Sequence, residues 1–277
     1  MDSISNDQSP TPREIPEDIA DALNGATARL GIFRHRISWF EEIASTNAAA
    51  AFVAGRGAPE GTVIAANAQT SGRGRLGRTW ASPPGAGLYV SFVLRPRPSA
   101  LPLLTIAAGV ALADGIEAGS GLRVGLKWPN DLVVGRRKLG GILSEAISLA
   151  ASAGPVVDRV VVGFGINLRT AAYPPDVEAR ATSIERELGR PSDRGLVLAE
   201  CLAACAATYN ALQNGHADTV VAAWRARAAD HLGRHVEWDD GAGLMRGVAQ
   251  DIDAAGALLV RIGHATVRVI SGEVRWL

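Results

Sequence analysis

An apolar, β-branched run, Thr62–Ala68, reads as a strand and ends abruptly in QTSGRGRLGRTW, Gln69 to Trp80. Three glycines (Gly72, Gly74, Gly77) alternate in that segment with three arginines (Arg73, Arg75, Arg78). Glycine lets a backbone come close to a ligand and adopt positive φ without steric cost. Arginine brings a permanent charge and a planar fork of donors suited to carboxylate and phosphate. A strand delivering such a segment predicts a mobile loop that closes over an anion. It is not a P-loop, because GxxxxGK[ST] is absent, and no GxGxxG opens a Rossmann helix.

The rest of the composition narrows what that anion is. The 277 residues carry 28 Lys+Arg against 28 Asp+Glu, so a basic loop sits in a neutral chain. Wrapping nucleic acid calls for a basic excess, and a small anionic ligand fits better. Cys201 and Cys205 stand four apart in an alanine-rich helical stretch, which suits a reduced, cytoplasmic setting more than a disulfide framework. Neither has a His or acidic neighbour at metal-ligand spacing. Met1–Pro16 is polar and proline-containing with no apolar h-region, so no signal peptide is read there. No run is read as approaching the roughly 18 apolar residues of a membrane helix.

Taken in order, the chain starts with a disordered leader over Met1–Pro16 and a short helix within Glu17–Leu30. Ile37–Phe40 reads as a strand, and Ser45-Thr46-Asn47 as the cap of a helix over Ala48–Ala54. Leu88–Leu94 is a further strand, Leu101–Ala118 a buried helix, and Val124–Trp128 a strand entering Pro129-Asn130-Asp131. Val133–Lys138 forms a hairpin turning at Gly135, continued by a strand to Ile147. Val156–Leu168 contains VVVGFGINL, a buried strand whose Gly163 and Gly165 leave room for a close neighbour. Ala179–Arg227 is helical with breaks near Gly189 and Asn214. Five short strands from His235 to Trp276, split by Gly and Asp turns, describe a small β-barrel of about fifty residues.

A second motif runs KWPNDLVVGRRKLGGILSE, Lys127 to Glu145. Lys138 precedes Gly140 and Gly141, which keep side chains out of its way. It can neutralise charge as a carboxylate oxygen attacks phosphorus. Asn130, Asp131 and Asn167 are polar groups at strand ends, able to form turns or to reach phosphate oxygens or a metal-bound water. The five histidines lie outside these motifs, no GxSxG elbow appears, and neither cysteine lies in a glycine-rich motif. What remains is chemistry by positioning and charge neutralisation, as in adenylate formation.

GRGRLGRTW, KWPNDLVVGRRKLGGILSE and GFGINL, in this order, resemble the three signature blocks of biotin protein ligases, over about Ser45 to Leu168. The resemblance implies an α+β fold. A mixed β-sheet catalytic domain flanked by helices, of class II synthetase-like type, would occupy 31–229 after a leader at 1–30. A C-terminal SH3-like domain would occupy 230–277. It implies ATP with Mg²⁺ as co-substrate and ion, biotin as substrate, biotinyl-5′-adenylate as intermediate, and a biotin carboxyl carrier domain of acyl-CoA carboxylase as acceptor. Carried over by position, biotin falls to Ser45, Thr46, Asn47, Gln69, Gly72, Arg73, Gly74, Arg75, Lys138, Gly141, Gly163 and Ile166. The nucleotide falls to Arg75, Arg78, Trp80, Asn130 and Asn167, with Asn130 also able to meet Mg²⁺ through ATP. Lys138 and Arg75 would be the catalytic pair, and Asp131 would orient the incoming amine or act as a weak base toward it. Leu76 departs from the basic residue many relatives carry in the loop.

Only about thirty-five residues precede the catalytic region, so a monofunctional ligase without a winged-helix repressor domain, and without specific DNA binding, is expected. The rival readings are a lipoate ligase or octanoyltransferase, which shares fold and acceptor type, and a non-catalytic biotin sensor.

Overall fold

Alternating burial shows how the central sheet sits between two cores. In Val63–Gln69 (β2), Val63 and Ala65 enter one apolar core while Ile64 and Ala66 enter another, so both faces of the strand are covered. The computed structural model describes residues 11–149 and 156–277, so the first ten residues of the expected leader lie outside it.

Among the described residues seven strands form this sheet: Ile37–Ile43 (β1), β2, Gly87–Leu94 (β3), Gly125–Lys127 (β4), Asp131–Val134 (β5), Arg137–Leu149 (β6) and Val156–Asn167 (β7). Their spatial order is β1-β2-β3-β7-β6-β5-β4; β1 and β2 run parallel and the other neighbours antiparallel, giving the expected mixed sheet. The flanking helices are Glu17–Ala26 (α1), Thr46–Gly55 (α2), Leu104–Ser120 (α3), Ile184–Leu188 (α4), Arg194–Gln213 (α5) and Ala217–Ala228 (α6). The main core lies on one side of the sheet, where α3 and α5 pack together. On the other side α2 crosses over β2, β3 and β7. The functional residues gather on the α2 side.

The boundaries depart from expectation where proline and glycine intervene. The helix expected at Leu101 begins as a 3₁₀ segment, Pro98–Leu103, because Pro102 has no N–H to give to an α-helix, and the α-helix proper starts at Leu104. Ala179–Ser183 is not helical; helix appears only at α4, and the breaks at Gly189 and Asn214 stand where expected. The helix α1, inside the segment read as a leader, is built into the core: Ile19 and Leu23 are buried, and Arg194 bonds Asp18 across to α5.

The reading that no run approaches membrane-span length is corrected by Pro98–Ser120, 23 residues, and Arg194–Gln213, 20 residues, both long and apolar enough. Their all-round apolar character has another cause. Each is mostly buried, packed against the other in the main core.

The C-terminal strands are His235–Asp239 (β8), Leu244–Ile252 (β9), Leu258–Ile262 (β10), Ala265–Val269 (β11) and Val274–Trp276 (β12), in the order β11-β10-β9-β8-β12, all antiparallel. Val236, Trp238, Ala249 and Val260 belong to the same apolar cluster as α3 and α5. Trp128 Nε1 donates to Gly256 O at 2.9 Å, fixing this small sheet beside the PND turn.

Where α3 meets α5, a Cβ at Gly115 would stand 2.5 Å from Cys201 Cα. Replacing glycine by alanine inside a helix normally gains about 0.5–1 kcal/mol. Gly25→Ala in α1, with open space at its Cβ, is expected to gain that amount. Gly115→Ala is expected to lose about 2 kcal/mol net, because backbone cannot give way as a side chain can. Urea unfolding of the two variants checks the opposite signs.

Candidate active site

The site grows from the N-terminus of α2. Ser45 caps the helix, its Oγ accepting from Ala48 N, and the next two residues point their polar groups inward. Thr46 N and Oγ1 both donate to Gln69 Oε1, at 2.8 and 3.1 Å. Gln69 Nε2 donates to Ser82 Oγ at 2.8 Å, which fixes the amide's orientation. Asn47 Nδ2 donates to Glu145 Oε2 at 2.7 Å. Ser91 Oγ donates to Asn47 Oδ1 at 2.6 Å and lies 2.8 Å from Thr46 Oγ1. Thr46, Asn47 and Ser91 are buried, so these bonds satisfy polar groups largely withdrawn from solvent.

Three glycines explain why this cluster lies directly on the sheet. A Cβ at Gly163 would stand 1.7 Å from Asn47 Oδ1, and one at Gly165 would stand 2.4 Å from Trp80 Nε1. A Cβ at Gly141 would meet both Trp80 and the Lys138 side chain. The close neighbours expected for Gly163 and Gly165 are therefore Asn47 and Trp80. Trp80 lies against the glycines of β6 and β7, its Nε1 buried without a hydrogen-bond partner.

Across the glycine platform, charges converge on Asp131. Lys138 Nζ lies 2.5 Å from Asp131 Oδ1, and Lys127 Nζ lies 3.3 Å from Asp131 Oδ2. The Lys138 ammonium also stands 5.5 Å from the centre of the Trp80 ring. A cavity of about 290 Å³ joins this charged end to the Ser45–Asn47 end.

The Gly-Arg segment roofs the cavity as a miniature hairpin. Gly74 N donates to Arg78 O at 2.7 Å and Trp80 N to Gly72 O at 2.8 Å. At its tip Leu76 adopts φ +56° and is exposed. The three arginines part company. Arg73 Nη2 reaches Glu145 Oε1 at 2.9 Å. Arg75 donates at 3.2 Å to both Asn130 Oδ1 and Gly272 O. Arg78 pairs with Glu273 at 2.5 Å. Burial pulls Arg75 below the usual guanidinium value, opposed by the charge of Asp131, while the Arg78 bond holds Glu273 below the usual carboxyl range.

Of the expected site residues, the cavity is lined by Ser45, Thr46, Asn47, Gln69, Arg73, Gly74, Arg75, Arg78, Trp80, Asn130, Lys138, Gly141 and Gly163. Gly72, Ile166 and Asn167 do not line it. Ile166 is one step out of phase with Gly163 and Gly165, so its side chain enters the helix-packed core. Asn167 has the right parity but is buried at the strand end, Nδ2 donating to Thr182 O at 2.9 Å. Gly72 packs behind the cavity against Trp80 O and Ser82. Sequence reasoning missed Glu145, Ser91, Ser82 and Lys127, and missed Gly272–Val274 of the C-terminal sheet as part of the lining. Alternation in SEA and YVS would have put Glu145 and Ser91 on the glycine face; nothing local signalled the C-terminal residues.

Among the described residues no three His, Cys, Asp or Glu side chains are grouped to hold a metal ion. Asn130, the residue expected to meet Mg²⁺ through ATP, lines the cavity, its Oδ1 accepting from Arg75 at 3.2 Å.

The profile of the Biotin/lipoate A/B protein ligase family matches residues 39–167, and that of the Biotin protein ligase C terminal domain matches residues 231–275. A biotin–[acetyl-CoA-carboxylase] ligase of Paracoccus denitrificans is 37% identical over 215 residues, 75% of this chain and 86% of that protein. The enzyme of the same name from Mycobacterium tuberculosis is 35% identical over 239 residues, 83% of this chain and 85% of that protein. The biotin protein ligase of Aquifex aeolicus, solved with biotin and ATP, superposes with a TM-score of 0.75 at 27% identity, covering 88% of this chain and 99% of that one.

The glycine platform generates a direct test. Gly163→Ala must expel Asn47 and break its bonds to Ser91, Glu145 and Leu143 O. A loss of about 2 kcal/mol in urea unfolding is expected, the cost of leaving buried polar groups unpaired.

Proposed function

Since the chain belongs to the biotin/lipoate A/B protein ligase family, we propose that its site makes biotinyl-5′-adenylate from biotin and ATP and passes biotin to a lysine of a carrier domain. It is an ATP-dependent biotin protein ligase. The observation that carries the reading is the cavity itself, with neutral amide and hydroxyl groups at one end and Lys138, Lys127 and Arg75 at the other. A ureido head group matches the first end and a carboxylate beside a triphosphate matches the second.

Gln69, Thr46 and Asn47 are held by Ser82, Ser91 and Glu145, so the head-group end is preorganised before any ligand arrives. Biotin lying along the platform brings its carboxylate to Lys138. One carboxylate oxygen attacks the α-phosphorus of ATP, the bond to the β-phosphate oxygen breaks, and pyrophosphate leaves with its electrons. Lys138 and Arg75 neutralise charge on the carboxylate and the α-phosphate. Lys138 is tied to Asp131 in the free protein, so the ammonium must exchange partners as substrate enters. Mg²⁺, arriving with ATP, supplies further neutralisation on the phosphates. In the second step the acceptor lysine amine attacks the acyl carbon, AMP leaves, and Asp131 is placed to orient that amine and receive its proton.

A mixed anhydride hydrolyses when water reaches it, and the arginine hairpin over the cavity meets that need. The acceptor on this reading is a biotin carboxyl carrier domain of an acyl-CoA carboxylase; the two relatives' names, which give acetyl-CoA-carboxylase as the substrate of those proteins, support it. We place the reaction in the cytoplasm, a reading that the two buried free thiols, Cys201 and Cys205, support.

A carrier domain incubated with the protein, MgATP and biotin is expected to gain one biotinyl group on a single lysine, read by mass. Lys138→Met is expected to slow adenylate formation by about 10²–10³-fold, the usual cost of removing one preorganised charge-stabilising group. An unmodified carrier with the wild-type protein contradicts the proposal.

A further inference from the structure

Glu145 has no counterpart among the residues assigned to biotin or ATP, yet its two oxygens face two different parts of the site. Oε2 accepts from Asn47 in the buried head-group cluster, at 2.7 Å. Oε1 accepts from Arg73 in the first arm of the loop, at 2.9 Å. An unbroken chain of polar contacts thus runs Gln69–Thr46–Ser91–Asn47–Glu145–Arg73, from β2 through α2, β3 and β6 into the loop. The loop's tip and second arm are held elsewhere, Arg75 by Asn130 and Gly272 and Arg78 by Glu273. Glu145 is the side-chain tether of the first arm, beside a backbone bond from Ser71 N to Ala44 O at 2.8 Å.

We propose that Glu145 is a positioning residue that couples the head-group cluster to the Gly-Arg loop, so that a ligand seated at Ser45–Asn47 fixes the loop above it. A head group bonded to Thr46 and Asn47 stiffens the cluster, and the stiffened Asn47 holds the Glu145 carboxylate in the orientation that Arg73 needs. The carboxylate is suited to this because both its oxygens only accept, and both neighbours only donate toward it. An amide cannot replace it. In a Glu145→Gln variant the new NH₂ group would face either the guanidinium of Arg73 or the NH₂ of Asn47, whichever way the amide turned.

The link is open to test without catalysis. Arg73, Arg75 and Arg78 are trypsin sites within the loop, and the rate of cleavage after Arg75 and Arg78, which every variant keeps, reads in the ligand-free protein how well the loop is anchored. Glu145→Gln and Arg73→Met are each expected to speed cleavage about three- to five-fold, the scale of a partly exposed ion pair. Because both remove the same tether, the double variant is expected to be cut no faster than either single one. The second readout, which rests on the ligase reading, is release of preformed biotinyl-adenylate after gel filtration, expected to quicken by the same factor in all three variants. Cleavage of Glu145→Gln at the wild-type rate, or effects that multiply in the double variant, would overturn the coupling. A wild-type protein that forms no adenylate contradicts the ligase reading instead, and the trypsin rates then decide the coupling on their own.

Discussion

The site depends on the close approach that three glycines allow. Gly141, Gly163 and Gly165 remove the side chains from one face of β6 and β7, and Asn47 and Trp80 occupy the space. With a larger residue at Gly163, α2 could not bring its polar N-terminus down to the sheet, and with one at Gly141 or Gly165 Trp80 would be displaced. The cluster of Thr46, Asn47, Gln69, Ser82, Ser91 and Glu145 would then have no common plane. The same platform leaves a channel along the sheet surface, one end neutral and the other charged.

Around the cavity the ligand-free protein balances its own charges. Asp131 holds Lys127 and Lys138, Glu145 holds Arg73, and Glu273 holds Arg78. These pairs are partly exposed, so each is weak, and a polyphosphate with a carboxylate can exchange for them at small cost. Arg75, whose donors meet only the oxygens of Asn130 and Gly272, is the cation least engaged by a protein carboxylate.

Much of this was legible in the sequence. The Gly-Arg loop, Lys138 and the Ser45–Asn47 cap were read from local residue type, and the cavity brings them together. The assignment of Ile166 rests on the family resemblance alone, and strand alternation from Gly163 and Gly165 sends its side chain to the other face. Asn167 obeys that alternation but is consumed by a buried bond to Thr182, which no local pattern announces. The contribution of Gly272 and Glu273 depends on how the C-terminal sheet docks beside Trp128, a contact spanning more than a hundred residues. Long apolar helices such as Pro98–Ser120 show the converse limit: composition alone does not tell a two-sided core helix from a membrane span.

The most direct measurement is pyrophosphate release from MgATP by the purified protein, with biotin, lipoate and octanoate offered in turn. A head-group end built from Thr46, Asn47 and Gln69 predicts release with biotin and none above background with the two acids that lack a ureido group. Release with lipoate or octanoate, or silence with biotin, would contradict it.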